Sequence, residues 1–142
     1  MSPTPHHRNT SDTITEDIRV VAEPFYLSEH SAPLSHRFVF GYRITIRNEG
    51  ARTVQLLSRY WRIIDGEGVE KVVEGPGVVG EMPVLLPGEE HAYTSFCPLE
   101  TSWGTMEGWY EFRASTGETF RVTIGRFYLA AEEDVVLQVG LA

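Results

Sequence analysis

Residues 37–48 read RFVFGYRITIRN, and their alternation decides the fold. Phe38, Phe40, Tyr42, Ile44 and Ile46 take every second position, with Val39, Gly41, Arg43, Thr45 and Arg47 between them. A period of two puts one set on one face of a strand, so this segment buries one face and leaves the other largely polar. Asn48-Glu49-Gly50 supplies the turn that ends it.

The same reading extends in both directions. Residues 53–65 form the next strand. Val54, Leu56, Tyr60 and Ile64 alternate with Leu57, Trp61 and Ile63, so both faces carry large apolar groups, as a central strand requires. Trp61 is expected in the core. Asp65-Gly66-Glu67-Gly68 is a hairpin signal, and residues 69–73 return. Further strands are expected over residues 91–98, 105–113 and from Phe120 to Leu129, separated by turn signals at Pro87-Gly88-Glu89 and Ser115-Thr116-Gly117-Glu118. On the N-terminal side, residues 18–27 open the strands and residues 28–35 read as a loop. Roughly seven to nine short strands with regular turns and no helical pattern imply an all-β fold, a two-sheet antiparallel sandwich of the immunoglobulin/fibronectin type III-like kind. The Cys-Trp-Cys pattern of antibody domains is missing, which favours the fibronectin variant.

Three segments follow. Residues 1–17, rich in Ser, Thr, Pro and His, read as a disordered arm; His6-His7 in it is a loose metal-binding pair at most. Residues 18–130 are the sandwich. Residues 131–142 begin acidic and end apolar at Val135, Val136, Leu137 and Val139, open to a short helix, an added strand or an intermolecular contact.

The chain has 142 residues, 42% hydrophobic and 23% charged, with a net charge of −8. That is an ordinary globular composition for one domain. Nothing in it is a basic footprint for nucleic acid, and no apolar run is long enough to insert in a membrane. The single cysteine, Cys97, excludes an internal disulfide and fits a cytoplasmic location. In an apolar strand it reads as a small core residue rather than a nucleophile. Oligomeric state is not legible.

The glycine-dense centre, Gly75-Pro76-Gly77-Val78-Val79-Gly80, fits G-x-G-x-x-G. A dinucleotide fingerprint needs a helix opening at these glycines. Pro83 and Leu86-Pro87-Gly88 leave no room for one, and the acidic residue expected about 20 positions on is missing. The plain reading is a tight connection using glycine at positive φ. The functional reading is an anion loop, in which successive backbone N–H groups of Gly75, Gly77, Val78, Val79 and Gly80 form a nest beside Arg59. Its structural counterpart, in which Arg59 stacks on Trp61 or pairs with a loop carbonyl, is preferred. For metals, Asp65, Glu67, Glu70, Glu74 and Glu81, with His30, His36 and His91, show no ligand spacing, so no metal site is expected. The dyads that can be named, Ser58 with His91 and Glu107 with Glu111, have nothing in the sequence to bring them together; no catalytic residue and no cofactor are expected.

These residues resemble the ApaG family of bacterial proteins. The likeness is carried by Val54-Gln55-Leu56-Leu57-Ser58-Arg59 with Trp61 and by Gly77-Val78-Val79-Gly80-Glu81. It continues through Pro83, Pro87-Gly88-Glu89, Tyr93-Thr94-Ser95, Gly104-Thr105-Met106-Glu107-Gly108-Trp109-Tyr110 and Phe127-Tyr128-Leu129. It spans roughly residues 17–130 and departs at Tyr60, where the family often has His, and at Phe96, where it often has Gly. The resemblance implies a fibronectin type III-like fold and a name tied to cobalt resistance and magnesium efflux, without an assigned reaction. Similar domains occur in F-box and DNA-polymerase-associated proteins, where an interaction role is supposed. The expectation is therefore a non-enzymatic binding or adaptor module with a protein partner, linked to Co2+/Mg2+ homeostasis. The alternative is an accessory protein that binds a nucleotide, pyrophosphate or another phosphate-containing small molecule through the Gly75–Gly80 loop.

Overall fold

The computed structural model describes residues 9–131. Nine strands run β1 Ser11–Thr15, β2 Ile18–Tyr26, β3 Phe38–Asn48, β4 Val54–Asp65, β5 Glu70–Pro76, β6 Val84–Leu85, β7 Glu90–Leu99, β8 Trp103–Ala114 and β9 Thr119–Ala130. One sheet has the order β1-β2-β3-β7 and the other β5-β4-β8-β9, with β6 paired to the start of β4. All pairings are antiparallel. This is the expected antiparallel sandwich of the fibronectin type III-like kind, with β1 added at one edge. Between β2 and β3 the chain makes two 3-10 turns, Ser28–His30 and Pro33–Ser35.

The expected disordered arm is corrected at residues 11–15, which form β1 and pair with β2 from Ser11↔Ala22 to Thr15↔Ile18. Glu16 and Asp17 make the connection with φ of 50° and 64°, the sign at both central residues that a primed hairpin turn requires. The strand escapes a hydrophobic reading because its inward residues are Ser11, Thr13 and Thr15. The two threonines meet β9 through hydrogen bonds, Thr13 Oγ1 donating to Thr123 O and Thr123 N donating to Thr15 Oγ1. His6-His7 and residues 132–142 lie outside the described residues.

Strand β3 behaves as its alternation dictates. Phe40, Tyr42, Ile44 and Ile46 are buried in the space between the sheets, each contributing about 1.5–3 kcal/mol by burial. Asn48, the buried polar residue at its end, is an anchor. Its Nδ2 donates to Arg52 O and Leu85 O, its Oδ1 accepts from Gly50 N, and its backbone bonds Gly88 and Glu89. Removing such a side chain strands several buried polar groups, each costing about 1–3 kcal/mol.

The apolar groups on both faces of β4 have a second cause besides its central position. The register against β8 slips between Leu56 and Ser58. The extra residue, Leu57, exchanges the faces of everything that follows. Val54 and Leu56 point into the core before the bulge; Trp61 and Ile63 do so after it. The bulge thereby turns Arg59 to the same inward face. Strand β9 has a matching slip, Gly125 and Arg126 opposing the single Glu107 of β8, so Val122 and Ile124 are buried before it and Phe127 and Leu129 after it.

The two long sides of the sandwich differ. On one, β9 packs against β1 and β2. On the other, β7 and β5 are the last strands of their sheets.

Candidate functional site

A cleft of about 460 Å³ opens on that second side. Strand β4 supplies Arg59, Trp61, Ile63 and Asp65 in its post-bulge phase; β5 supplies Lys71 and Val73; β7 supplies Ser95, Phe96 and Cys97. Its floor is core. The Trp61 ring lies edge-on to Tyr42, centroids 5.3 Å apart, and to Phe127 at 5.8 Å. Its rim is charged, with Arg59 toward the glycine loop, Lys71 on β5, and Asp65 and Glu100 at the far end.

Behind this floor lies a buried set of hydroxyls. Tyr93 and Tyr110 share a hydrogen bond, oxygens 2.5 Å apart, and Tyr42 and Ser95 stand between them and the cleft. Burial raises the pKa of all three tyrosines above the ordinary value, while the nearby Arg59 charge opposes the rise. Burial also pushes the Cys97 thiol up to about 11, so it stays protonated at neutral pH and is a poor nucleophile. The cleft thus has apolar walls with hydroxyls and cations placed around them, the composition of sites that hold a ligand by shape and orient it by a few polar groups.

The glycine loop sits at the Arg59 end. Gly75 pairs with Arg59 across β4 and β5. The Arg59 Nη1 donates to Pro76 O at 3.0 Å and Gly77 O at 3.1 Å. Gly77 N donates to Leu57 O, Val78 N to Glu81 O and Glu81 N to Val78 O. Val78 is buried, whereas Val79 and Gly80 are exposed. Gly77 has a φ of +62°, and a Cβ there would lie 2.4 Å from Glu81 O, so glycine is required twice over. Val79 takes φ 47° and Gly80 φ 79°. The loop therefore gathers all the residues named for the anion nest, together with Arg59. However, three of the five N–H groups over residues 77–81 turn inward to carbonyls, and the guanidinium approaches the loop from its carbonyl side.

The acids named as metal candidates are dispersed. Glu70 is bonded to Arg62 at 3.0 Å; Glu107, named above only in a carboxylate dyad, is bonded to Arg62 at 3.4 Å and to Arg126 at 2.9 Å. Asp65 Oδ1 caps its own turn, accepting from Glu67 N and Val69 N. Among the described residues no group of three or more His, Cys, Asp and Glu stands where it could hold a metal ion, and no helix is long and apolar enough to cross a membrane. Sequence reasoning named Arg59 but missed Tyr42, Lys71, Val73 and Ser95 as its neighbours. The usable signal was Arg59 and Asp65 lying on the same strand face as Trp61 and Ile63, since a charge on a core face marks an opening.

Comparison with known proteins places these features in a lineage. The model of the ApaG domain matches residues 28–114. A Protein ApaG from Mesorhizobium japonicum is 51% identical over 116 residues, covering 82% of this chain and 89% of its own. One from Brucella anthropi is 49% identical over 120 residues, covering 84% and 92%. Among solved structures, the crystal structure of an ApaA protein from Bordetella pertussis superposes with a TM-score of 0.81 at 44% identity, covering 82% of this chain and 95% of that one.

Proposed function

From the premise that the chain belongs to the ApaG family, we propose that it is a binding module, an adaptor rather than an enzyme, and that its ligand seat is the cleft between β5 and β7. The observation that carries this reading is the composition of the cleft: an aromatic floor continuous with the core, and Arg59 and Lys71 on its rim. A rigid floor with few orienting charges suits recognition. The thiol best placed to react there is held protonated. The link to cobalt and magnesium homeostasis runs through the partner, in the cytoplasm. Its support is the engagement of Glu70 and Glu107 by arginines and of Asp65 by its own turn. The alternative, pyrophosphate or nucleotide binding at residues 75–80, differs in where a ligand would be felt.

One titration separates the two readings. The 15N-labelled chain is titrated with amphiphilic carboxylates, nucleotides, pyrophosphate, Mg2+ and Co2+, and melting is followed in parallel. A ligand at 100 times its dissociation constant adds about 2.7 kcal/mol. Shifts at Arg59, Val73, Ser95 and Cys97 are expected with an amphiphilic carboxylate. Shifts confined to residues 77–81 with pyrophosphate would hand the function to the glycine loop and reject the cleft.

A further inference from the structure

Resting on the reading of the cleft as the ligand seat, we infer that its occupant is an extended peptide of a partner protein, added as a strand to the free edge of β7, with an acidic side chain toward Lys71 and an apolar one two residues away over Trp61. Four observations carry this. First, β7 pairs with β3 on one side and ends its sheet on the other, so the unpaired side of the strand borders the cleft. An open edge of this kind is a template for another strand. Second, the two cations of the rim have no partner of opposite sign: among the described residues no carboxylate lies within ion-pair distance of Arg59 or Lys71, although the chain carries −8 overall and Lys71 is its single lysine. Third, the spacing fits. Lys71 stands in register with Ile63 and Val73 with Trp61, so Lys71 lies two residues, about 7 Å, from the aromatic floor along the strand direction, which is the repeat of inward-facing side chains along an added strand. Fourth, the outer side of β7 is prepared as well. Phe96 is 61% exposed there, and Phe25, 43% exposed, lays its ring over Gly41, the residue to which both are paired. The outward side chains of an added strand would continue this aromatic row. Pro98 offers no N–H, which confines pairing to the part of β7 before it.

The competing account of Lys71 is defensive: an inward charge on an edge strand discourages pairing. The two accounts predict opposite results. The 15N-labelled full chain is titrated with acetyl-Thr-Asp-Thr-Leu-Thr-Val-amide and with versions carrying Val or Phe in place of Leu. Shifts are expected at residues 94–97 and 71–75. Lys71→Glu, an exposed substitution that leaves the core untouched, is expected to weaken binding about tenfold, and a peptide with Lys in place of Asp to restore it. N-methylation of alternate peptide amides is expected to weaken binding at least tenfold. If N-methylated and plain peptides bind alike at these residues, strand addition falls while the cleft stands. If the Lys peptide binds the unaltered chain as well as the Asp peptide does, the acidic partner falls. No shift at millimolar peptide, or tighter binding after Lys71→Glu, overturns the proposal in favour of the defensive account. Shifts confined to residues 77–81 overturn both the peptide and the cleft. A synthetic copy of residues 132–142 that outcompetes the panel, or concentration-dependent shifts at the same residues without peptide, would assign the edge to the chain's own segment or to a second copy, and overturn the partner.

Discussion

The two long sides of this sandwich are built from different chemistry. Where β1 and β2 meet β9, the β1 groups that face it are small and hydroxylated, Thr13 and Thr15, and their hydroxyls bond the backbone of Thr123 on the edge of β9. Where β5 faces β7, the inward groups are Trp61, Tyr42, Arg59 and Lys71, too large or too charged to let the sheets meet. The lesson is that a sandwich closes where its edge residues can be satisfied at close range, and stays open where they need either volume or water.

The strongest way to break this comparison is Trp61→Ala. Trp61 is floor to the cleft and core to the domain, 2% exposed. Its truncation should cost about 3–5 kcal/mol in urea unfolding. A melting point within a degree of the unaltered chain would mean the open side is surface, not core.

Next comes alkaline pH, which sharpens the contrast because Tyr42, Tyr93, Tyr110 and Cys97 all stand at or behind the cleft. Burial raises the pKa of each in the folded state, Cys97 from 9.0 to about 11 and the tyrosines from 10.0 upward. The unfolded chain releases these protons near the ordinary values. Their stabilisation is therefore whole below pH 9 and is lost as pH rises through the folded values. The slope should be about 1.4 kcal/mol per pH unit for each group. Urea midpoints that stay level from about pH 8 to about pH 11 would contradict it.

Arg59→Met should cost about 1.5 kcal/mol, the worth of a charged donor to carbonyls partly open to water, and should shift the amides of residues 76–78. On the closed side, Thr15→Val removes the acceptor for Thr123 N and should cost about 1 kcal/mol, read from the same urea curves. The smallest effect is expected at Arg126→Ala on the outer face. Its pair with Glu107 is half exposed and screened by solvent, so its loss should move the urea midpoint less than that of Thr15→Val does. If Arg126→Ala proved more costly than Thr15→Val, the seam would not be what closes that side.

The body of the fold was legible because β3, β7, β8 and β9 announce themselves by alternation and by Gly or Pro turns. Strand β1 was not, because its inward face is hydroxyl and its turn is Glu16-Asp17 instead of Asn-Gly. Asn48 was legible only as a turn residue; three of its five polar contacts reach Leu85, Gly88 and Glu89, distant in sequence. Of the candidate site, the local part was readable: the glycine loop, and Arg59 beside it. The cleft was not, since it depends on which strands end their sheets, a property of the whole topology.

The bulge at Leu57 has a consequence for how this chain can vary. Strand β8 keeps one phase throughout, with Met106, Tyr110, Phe112 and Ala114 all buried, and so serves as a ruler. Its neighbours each slip one step against it, β4 at Leu57 and β9 at Gly125-Arg126. The message carried by these strands is therefore written in counts as well as in letters. Losing Leu57 would close the bulge and leave Arg59, Trp61 and Ile63 on the inward face, whereas losing one residue between Arg59 and Trp61 would present Trp61 to solvent. A lineage carrying this domain can exchange side chains along β4 one at a time, but its length is a separate inheritance, free to change at the bulge and elsewhere altered only together with everything that reads from it.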